Sequence, residues 1–456
     1  MKINIITLGC SKNTVDSEKL AGALSAQGHK VFFDRQRNDC DAVIINTCGF
    51  IGDAKEESIN TILQIVETRP AASLPAASLP AASRPATSLP AASRPAASPC
   101  KVIACGCLVE RYKEELQKEI PEVDAWYGVH EWDKIVESLN PSPLTSPLSP
   151  SRPLSTPSHY AYLKIAEGCN RSCSYCAIPL IRGAHKSIPI DELVEEAKIL
   201  VKKGVKELLV ISQDTTYYGL DLYGKRMLGE LLERLATESG AEWIRLHYTY
   251  PTSFPVDAIE VMRRHPNICN YIDIPLQHIN TRILSSMQRG IDREGTLRLI
   301  DTFRRQLPDV AIRTTLIVGY PGETLEEFEE LKEFVRQARF DRMGCFAYSP
   351  EEGTAAYRLT DDVSEEEKQR RVSELMAVQE QISLEKNQER IGKTYRVLID
   401  RIEDDCLVGR TEYDSPEVDD EVLIELPKGP KAPEVGDFVN VRITDALEND
   451  LMAELV

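Results

Sequence analysis

Residues 161–176 read AYLKIAEGCNRSCSYC, a short apolar strand-like run that opens directly onto Cys169, Cys173 and Cys176 in the spacing CxxxCxxC. The residues between them, Asn170, Arg171 and Ser172, are polar, and Gly168 marks a turn, so three thiols packed as small hydrophobes is the poorer explanation. A compact loop can turn three thiolates at this spacing toward one [4Fe–4S] cube, whose ordinary complement is four cysteines. Three ligands leave one iron open, as a catalytic metal site requires. A structural zinc site short of one ligand is the competing reading.

Downstream lie five more strand-like runs, KELLVIS, WIRLHY, YIDIPL, IRTTLIVG and MGCFAYS, most of them followed by an amphipathic stretch such as 190–203 or 324–338. Six βα units predict a partial (β/α)6 barrel rather than a closed eight-fold one. A charged helix is expected over about 364–390. Beyond it, short alternating runs broken by Gly, Pro and Asp predict a small antiparallel β-barrel.

Upstream, β-branched runs at 3–8, 43–46 and 102–104 alternate with helix-like segments at 15–27 and 54–67, which predicts an open parallel sheet with helices on both faces. Each run ends close to a cysteine: Cys10 in TLGCSKN, Cys48 in NTCGF and Cys107 in CGCLVER. Taken singly, each is more often a core thiol than a ligand. Together they share one edge, because ligand sites in open α/β sheets gather outside the carboxyl ends of the strands, and a second cluster is the expectation. Cys105 competes with Cys107 in ACGC; Cys107 is preferred because it lies further past the strand. Cys40, Cys100, Cys269, Cys345 and Cys406 have no partner spacing and receive no role.

Between 70 and 99 a pentapeptide of the form PAASL or PAASR repeats; with so little bulky apolar side chain it cannot bury a core, and it is expected to be a disordered insertion. It joins a helix to the next strand, at the sheet edge opposite the cysteines. A Pro/Ser tract at 140–158 has the composition of an extended linker. The expected organisation is therefore an α/β domain over 1–139, the linker, a barrel over 159–388 and a small β-barrel over 389–456.

Twelve cysteines in a chain with neither a secretion signal nor a run of about 20 apolar residues point to a cytoplasmic, membrane-free protein with metal-binding thiols rather than a disulfide framework. The formal net charge of -18 disfavours bare nucleic acid as a partner and favours a basic macromolecule or a small molecule. Over 388–456 there are 8 Lys+Arg against 18 Asp+Glu, a difference of -10, whereas a phosphate-binding barrel should be basic.

LGCSKNTVDSE, NTCGF, CGCLVER, EGCNRSCSYCAIP, ISQDTTYYG, IPLQHIN, TLIVGYPGET and YSPEEGTAAY resemble the radical-SAM methylthiotransferases from residue 2 to about 454, the two Pro-rich tracts excepted. The resemblance implies an N-terminal α/β domain, a radical-SAM barrel and a C-terminal TRAM barrel. It also implies two [4Fe–4S] clusters, one on Cys169, Cys173 and Cys176 that binds S-adenosyl-L-methionine (SAM) at its open iron, and an auxiliary one on Cys10, Cys48 and Cys107 that offers sulfur. Tyr175 occupies the aromatic position whose backbone contacts adenine in the family. LGCSKN and IPLQHIN look like the RimO type, which modifies an aspartate of ribosomal protein S-twelve, free or in the assembled small subunit. The tRNA-modifying branch, with its GCQMN and PVQSGS pattern, is the alternative, and transfer RNA is the disfavoured acceptor. The expected co-products are methionine, 5′-deoxyadenosine and S-adenosylhomocysteine, and an electron donor and a sulfur source are required.

Ser212, Gln213 and Asp214 after the second barrel strand, and Gly319 and Gly322 in VGYPGET, are candidates for SAM contact that turn chemistry explains equally well. His278 is more often structural than substrate-facing. An iron–sulfur electron carrier would need four ligands per cluster, and a nucleic-acid scaffold a basic face; neither is visible.

Overall fold

The computed structural model describes residues 1–33, 39–68, 100–139, 152–426 and 432–456. The expected insertion and most of the expected linker lie outside them. The chain divides into two compact units, Met1–Ser155 and Thr156–Val456.

In the first unit, five parallel strands, β1 (Lys2–Thr7), β2 (Lys30–Phe32), β3 (Ala42–Thr47), β4 (Lys101–Gly106) and β5 (Ala125–Tyr127), form a sheet of order β2-β1-β3-β4-β5. β3, AVIINT, is buried at every position, as its central place requires. Side chains alternate across the sheet: Ile3, Ile5 and Ile44 face α1 (Ser11–Ala26) and α4 (Trp132–Leu139), while Ile6, Val43 and Ile45 face α2 (Gly52–Glu67) and α3 (Cys107–Glu119). β2, β5 and α4 were not legible in the sequence because each is short. α1 starts one turn earlier than its apolar pattern, directly after Cys10.

In the second unit, β6 (Tyr160–Lys164) begins an open six-stranded parallel sheet. β7 (Ala166–Glu167) and β8 (Lys186–Ser187) form a small separate pair, and the sheet continues with β9 (Glu207–Ile211), β10 (Trp243–Leu246), β11 (Ile268–Asp273), β12 (Ala311–Val318) and β13 (Arg342–Ala347), in order β13-β12-β11-β10-β9-β6. This is the partial barrel expected. The helix Glu365–Gln388 leads to β14 (Thr394–Ile402), β15 (Cys406–Thr411), β16 (Glu421–Glu425), β17 (Phe438–Ala446) and β18 (Asp450–Leu455), which close into a barrel. Its pairs are antiparallel except β16 with β18, which run parallel.

The small barrel packs on the starts of the sheet strands: Trp243, Cys269, Tyr271 and Ala311 meet Leu398, Tyr413 and Phe438. Charged groups are buried at the same junction. Arg245 donates to Glu207 (2.7 Å), Arg410 pairs with Glu207 and Asp400, Arg313 lies 3.1 Å from Asp273 and 3.2 Å from Asp419, and Arg342 pairs with Asp414 and with Asp420 (3.0 Å). Several acids that make the small barrel formally negative are therefore spent on buried arginines, and Asp419 and Asp420 do not belong to an open acidic surface. No helix among the described residues is long and apolar enough to cross a membrane.

Candidate functional site

Each unit presents its cysteines at the carboxyl ends of parallel strands, where loops rather than ladder bonds carry the backbone.

In the first unit, Cys10 is the N-cap of α1, Cys48 follows β3, and Cys107 opens α3 directly after Gly106. Cys107 thus stands on the first turn of a helix, not in a loop. Cys105 is fully buried in the sheet core, on the face toward α1 and α4. The strand order puts Cys10 and Cys48 on either side of the β1/β3 switch point, where adjacent connections leave the sheet on opposite faces.

Asn13, one turn into α1, ties the three loops together. Its Nδ2 donates to the carbonyls of Leu8 (2.8 Å) and Thr47 (3.2 Å), and its Oδ1 accepts from the Cys107 thiol at 3.7 Å. Ser58 Oγ accepts from the Cys48 amide (3.0 Å) and donates to the Cys48 carbonyl (2.9 Å). Gly9, at φ +90, lies so close that a Cβ there would sit 2.8 Å from the Cys48 sulfur. Two helices begin at these cysteines, α1 after Cys10 and α3 at Cys107.

In the second unit, Cys169, Cys173 and Cys176 lie on the loop after β6 and β7. The Cys169 amide donates to the Gly183 carbonyl (3.0 Å), the Arg171 amide donates to Cys169 Sγ (3.4 Å), and the Cys176 amide donates to the Cys173 carbonyl (3.1 Å). Burial pushes the Cys169 thiol up to about 11 and the Cys176 thiol up to about 12. Such thiols lose their protons when a cation compensates the buried charge, which suits iron ligation.

Two residues that the sequence did not single out, Arg289 and Tyr250, lie against Cys173. Arg289 Nη1 donates to its sulfur at 3.4 Å and to the Tyr175 hydroxyl at 3.2 Å. Tyr250 Oη lies 3.4 Å from the same sulfur, and its ring is sandwiched between the guanidinium of Arg171 (3.9 Å) and that of Arg289 (4.1 Å). Arg171 is held in turn by Asp214 at 2.6 Å. Hydrogen bonds to ligating sulfur tune a cluster's potential. Arg171 was visible inside the motif, but nothing in the sequence near Tyr250 or Arg289 marks them.

Ser212 Oγ, Gln213 Oε1, Gln277 Oε1 and Arg289 Nε are buried without a hydrogen-bond partner, and the first three directly follow strands of the open sheet or lie in the loop after one. Native proteins rarely leave such atoms unsatisfied, so the mouth fits a ligand rich in polar groups, as SAM is. Gln213 Nε2 donates to Glu167 (3.0 Å); burial alone would raise the Glu167 carboxyl, but Lys164 and Arg182 outweigh it and hold it at about 2. Asp214 also caps the short turn at Thr215–Tyr217.

Gly319, at φ +69, is packed by Lys368, and Gly322 donates its amide to Asp362, so turn geometry accounts for both. His278 is fully buried, its Nδ1 accepts from the Asn280 amide at 2.9 Å, its Nε2 has no hydrogen-bond partner, and burial lowers it to about 3.

Among the described residues no group of three His, Cys, Asp or Glu side chains is arranged to hold a single metal ion. A four-iron cube is ligated at separate irons, so its thiolates need not converge on one point.

Residues 163–335 match the model of the radical SAM superfamily, residues 391–456 that of the TRAM domain, and residues 2–78 that of an uncharacterized protein family, UPF0004. The chain is 53% identical over 453 residues to the ribosomal protein uS12 methylthiotransferase RimO of Flavobacterium psychrophilum, covering 99% of this chain and 98% of that one. It is 50% identical over 455 residues to the RimO of Phocaeicola vulgatus, covering 100% and 99%. The solved structure of the radical S-adenosylmethionine methyltransferase TsrM from Kitasatospora setae, with cobalamin and a [4Fe–4S] cluster bound, shares 12% identity and 76% of either chain at a TM-score of 0.52, a likeness of fold. With half of its residues identical to such relatives along the full length of both chains, this chain belongs to the RimO family of methylthiotransferases.

Proposed function

We propose that this chain attaches a methylthio group to the β-carbon of an aspartate in ribosomal protein S-twelve, using SAM and two [4Fe–4S] clusters. Cys169, Cys173 and Cys176 hold the cluster that binds SAM; Cys10, Cys48 and Cys107 hold the other. The observation that carries this reading is the pair of three-cysteine sets, each at the carboxyl edge of a parallel sheet and each one ligand short of a closed cube. When bound, the reduced cluster and SAM supply the radical chemistry that an unactivated C–H bond requires, and SAM also supplies the methyl group.

The chain's own residues bind and orient. Arg289 places positive charge beside Cys173 and also fixes the Tyr175 hydroxyl, which holds the loop in which the Tyr175 backbone would meet adenine, while Arg171 stacks on the Tyr250 ring. Ser212, Gln213 and Gln277 offer their unpartnered oxygens to the amino and ribose groups of SAM. In the first unit, Asn13 and Ser58 hold the loops of Cys10 and Cys48 and the first turn of α3 at Cys107 in register, and these three thiols would hold the auxiliary cluster. An external electron donor and a sulfur source complete the requirements.

The test is anaerobic reconstitution followed by mass spectrometry of ribosomal protein S-twelve, small subunits and transfer RNA. Cys173→Ala should abolish SAM cleavage, whereas Cys48→Ala should leave cleavage intact and stop methylthiolation. A methylthiolated product from the Cys48 variant would remove sulfur donation from that site, and modification of transfer RNA in place of the ribosomal aspartate would overturn the acceptor.

A further inference from the structure

Ser415 and Asp419 lie between β15 and β16 of the C-terminal barrel, and the Asp419 carboxylate is 1% exposed. One of its oxygens accepts from Arg313 Nε (3.2 Å); the other accepts from the Tyr271 hydroxyl (2.7 Å) and the Ser415 amide (2.9 Å). Ser415 Oγ lies 3.0 Å from His247 Nε2, and His247 Nδ1 lies 3.4 Å from Asp273. Burial lowers His247 and so favours the neutral ring; because a carboxylate only accepts, Nδ1 then carries the proton and the Ser415 hydroxyl donates to Nε2.

Asp273 accepts from Arg313 Nη1 at 3.1 Å and from the Tyr248 amide at 2.9 Å. Tyr248 sits at φ +55, a left-handed backbone that a bulky residue adopts only where its surroundings impose it. From the other side, its carbonyl accepts from the Thr215 amide (3.1 Å), and Thr215 Oγ1 donates to the His247 carbonyl (2.9 Å). Two residues further on, the Tyr250 hydroxyl lies 3.4 Å from the Cys173 sulfur, and its ring carries Arg171 and Arg289, the latter also donating to that sulfur.

We infer that the C-terminal barrel is a positioning element of the radical site: Ser415 and Asp419 hold His247 and Asp273, which fix the Tyr248 backbone and so seat Tyr250 and Arg289 against Cys173. The inference rests on the assignment of a cluster to Cys169, Cys173 and Cys176. A barrel that served only to bind substrate would leave the electronic state of that cluster untouched. A barrel wired to its loop changes it, because Arg289 donates to a ligating sulfur and such bonds set the potential.

The experiment compares reconstituted full-length wild type with Ser415→Ala, Asp419→Asn, His247→Leu, His247→Asn and, on an exposed acid of the same barrel, Glu434→Gln. Iron content, thermal midpoint, cluster potential, the electron paramagnetic resonance spectrum of the reduced protein and substrate-free SAM cleavage are measured. Ser415→Ala, Asp419→Asn and His247→Leu should keep their iron, shift the spectrum, lower the potential and slow substrate-free cleavage about tenfold. His247→Asn keeps a donor toward Asp273 but gives up the Ser415 contact and should shift as Ser415→Ala does, whereas Glu434→Gln should stay near wild type. Folded, iron-loaded variants with wild-type spectrum and potential would overturn the inference; if Asp419→Asn does not fold, Ser415→Ala, which removes a single hydroxyl, decides alone. A wild-type cluster signal in Cys173→Ala would instead sink the ligand assignment, a separable failure.

Discussion

Gly9 and Gly106 show how little room the first unit leaves around its cysteines. Gly9 has φ +90, and a Cβ there would lie 2.7 Å from the Cys48 Cβ; Gly106 has φ +99, and its Cβ would lie 2.4 Å from Asn46 Oδ1. Backbone strain at such positions costs roughly 1–3 kcal/mol before any clash is counted. Gly9→Ala should therefore displace Cys48, and iron per chain should fall from about eight toward about four while the cluster of the second unit keeps its spectrum; unchanged iron would show that Cys48 is not a ligand. Asp420 gives a second test at this scale. Burial raises its carboxyl from the ordinary 3.8 to about 6, Arg342 opposing and Asp414 adding to the shift. The fold thus prefers the protonated acid, so this group subtracts stability as pH rises from about 4 to about 6, and the loss is complete above that. Arg342 keeps Asp414, and an asparagine can still accept from Asn387. Asp420→Asn should be more stable than wild type by about 1–2 kcal/mol near pH 8 and no more stable near pH 4, as read from urea denaturation. Equal effects at both pH values would show that Asp420 does not titrate in this range.

At the scale of the element, strand direction separates chemistry from tolerance. Lys101 pairs with Ala42 at the start of β3, so β4 begins at the sheet edge opposite Cys48 and Cys107, and α2 returns to that edge as it ends at Glu67. Replacing 71–98 with a short Gly/Ser loop should leave iron content and activity near wild type, because loop length adds only a slowly growing closure entropy. A soluble deletion variant that lost its first-unit iron would refute that placement. The Cys48 amide and carbonyl are both held by Ser58 of α2, and Ile62, one turn further along, is fully buried in the core, so both positions should resist substitution.

For the whole molecule, the acidic C-terminal barrel divides into two populations. Asp414 and Asp420 neutralise the buried Arg342 and Asp419 pairs with the half-buried Arg313, whereas Asp404 and Asp405 are exposed at the turn between β14 and β15. Only the exposed population can steer a basic ribosomal protein. Binding should weaken as salt rises, and Asp404→Lys with Asp405→Lys should slow association more than dissociation, as read by stopped-flow mixing at low and high ionic strength. Salt-independent association would leave the acidic face as mere solvated surface.

The placement of the cysteines along the strands was legible without coordinates wherever it is written in consecutive residues. CxxxCxxC after an apolar run, cysteines just past three β-branched runs, and six strand-like segments separated by helix-length stretches each depend on spacing alone. The tertiary structure decided what spacing cannot encode. It placed Asn13 between Cys107 and the backbones of Leu8 and Thr47, and it sent Cys105 into the core while Cys107 opened a helix. It also set the Tyr250 ring between Arg171 and Arg289, residues separated from it by 79 and 39 positions in the chain. Net charge pointed to a basic partner but could not say which acids are exposed. Composition counts Asp419 as one more acidic residue, but the fold buries it against Arg313, and a carboxylate out of water is defined by its partner rather than by its contribution to a sum.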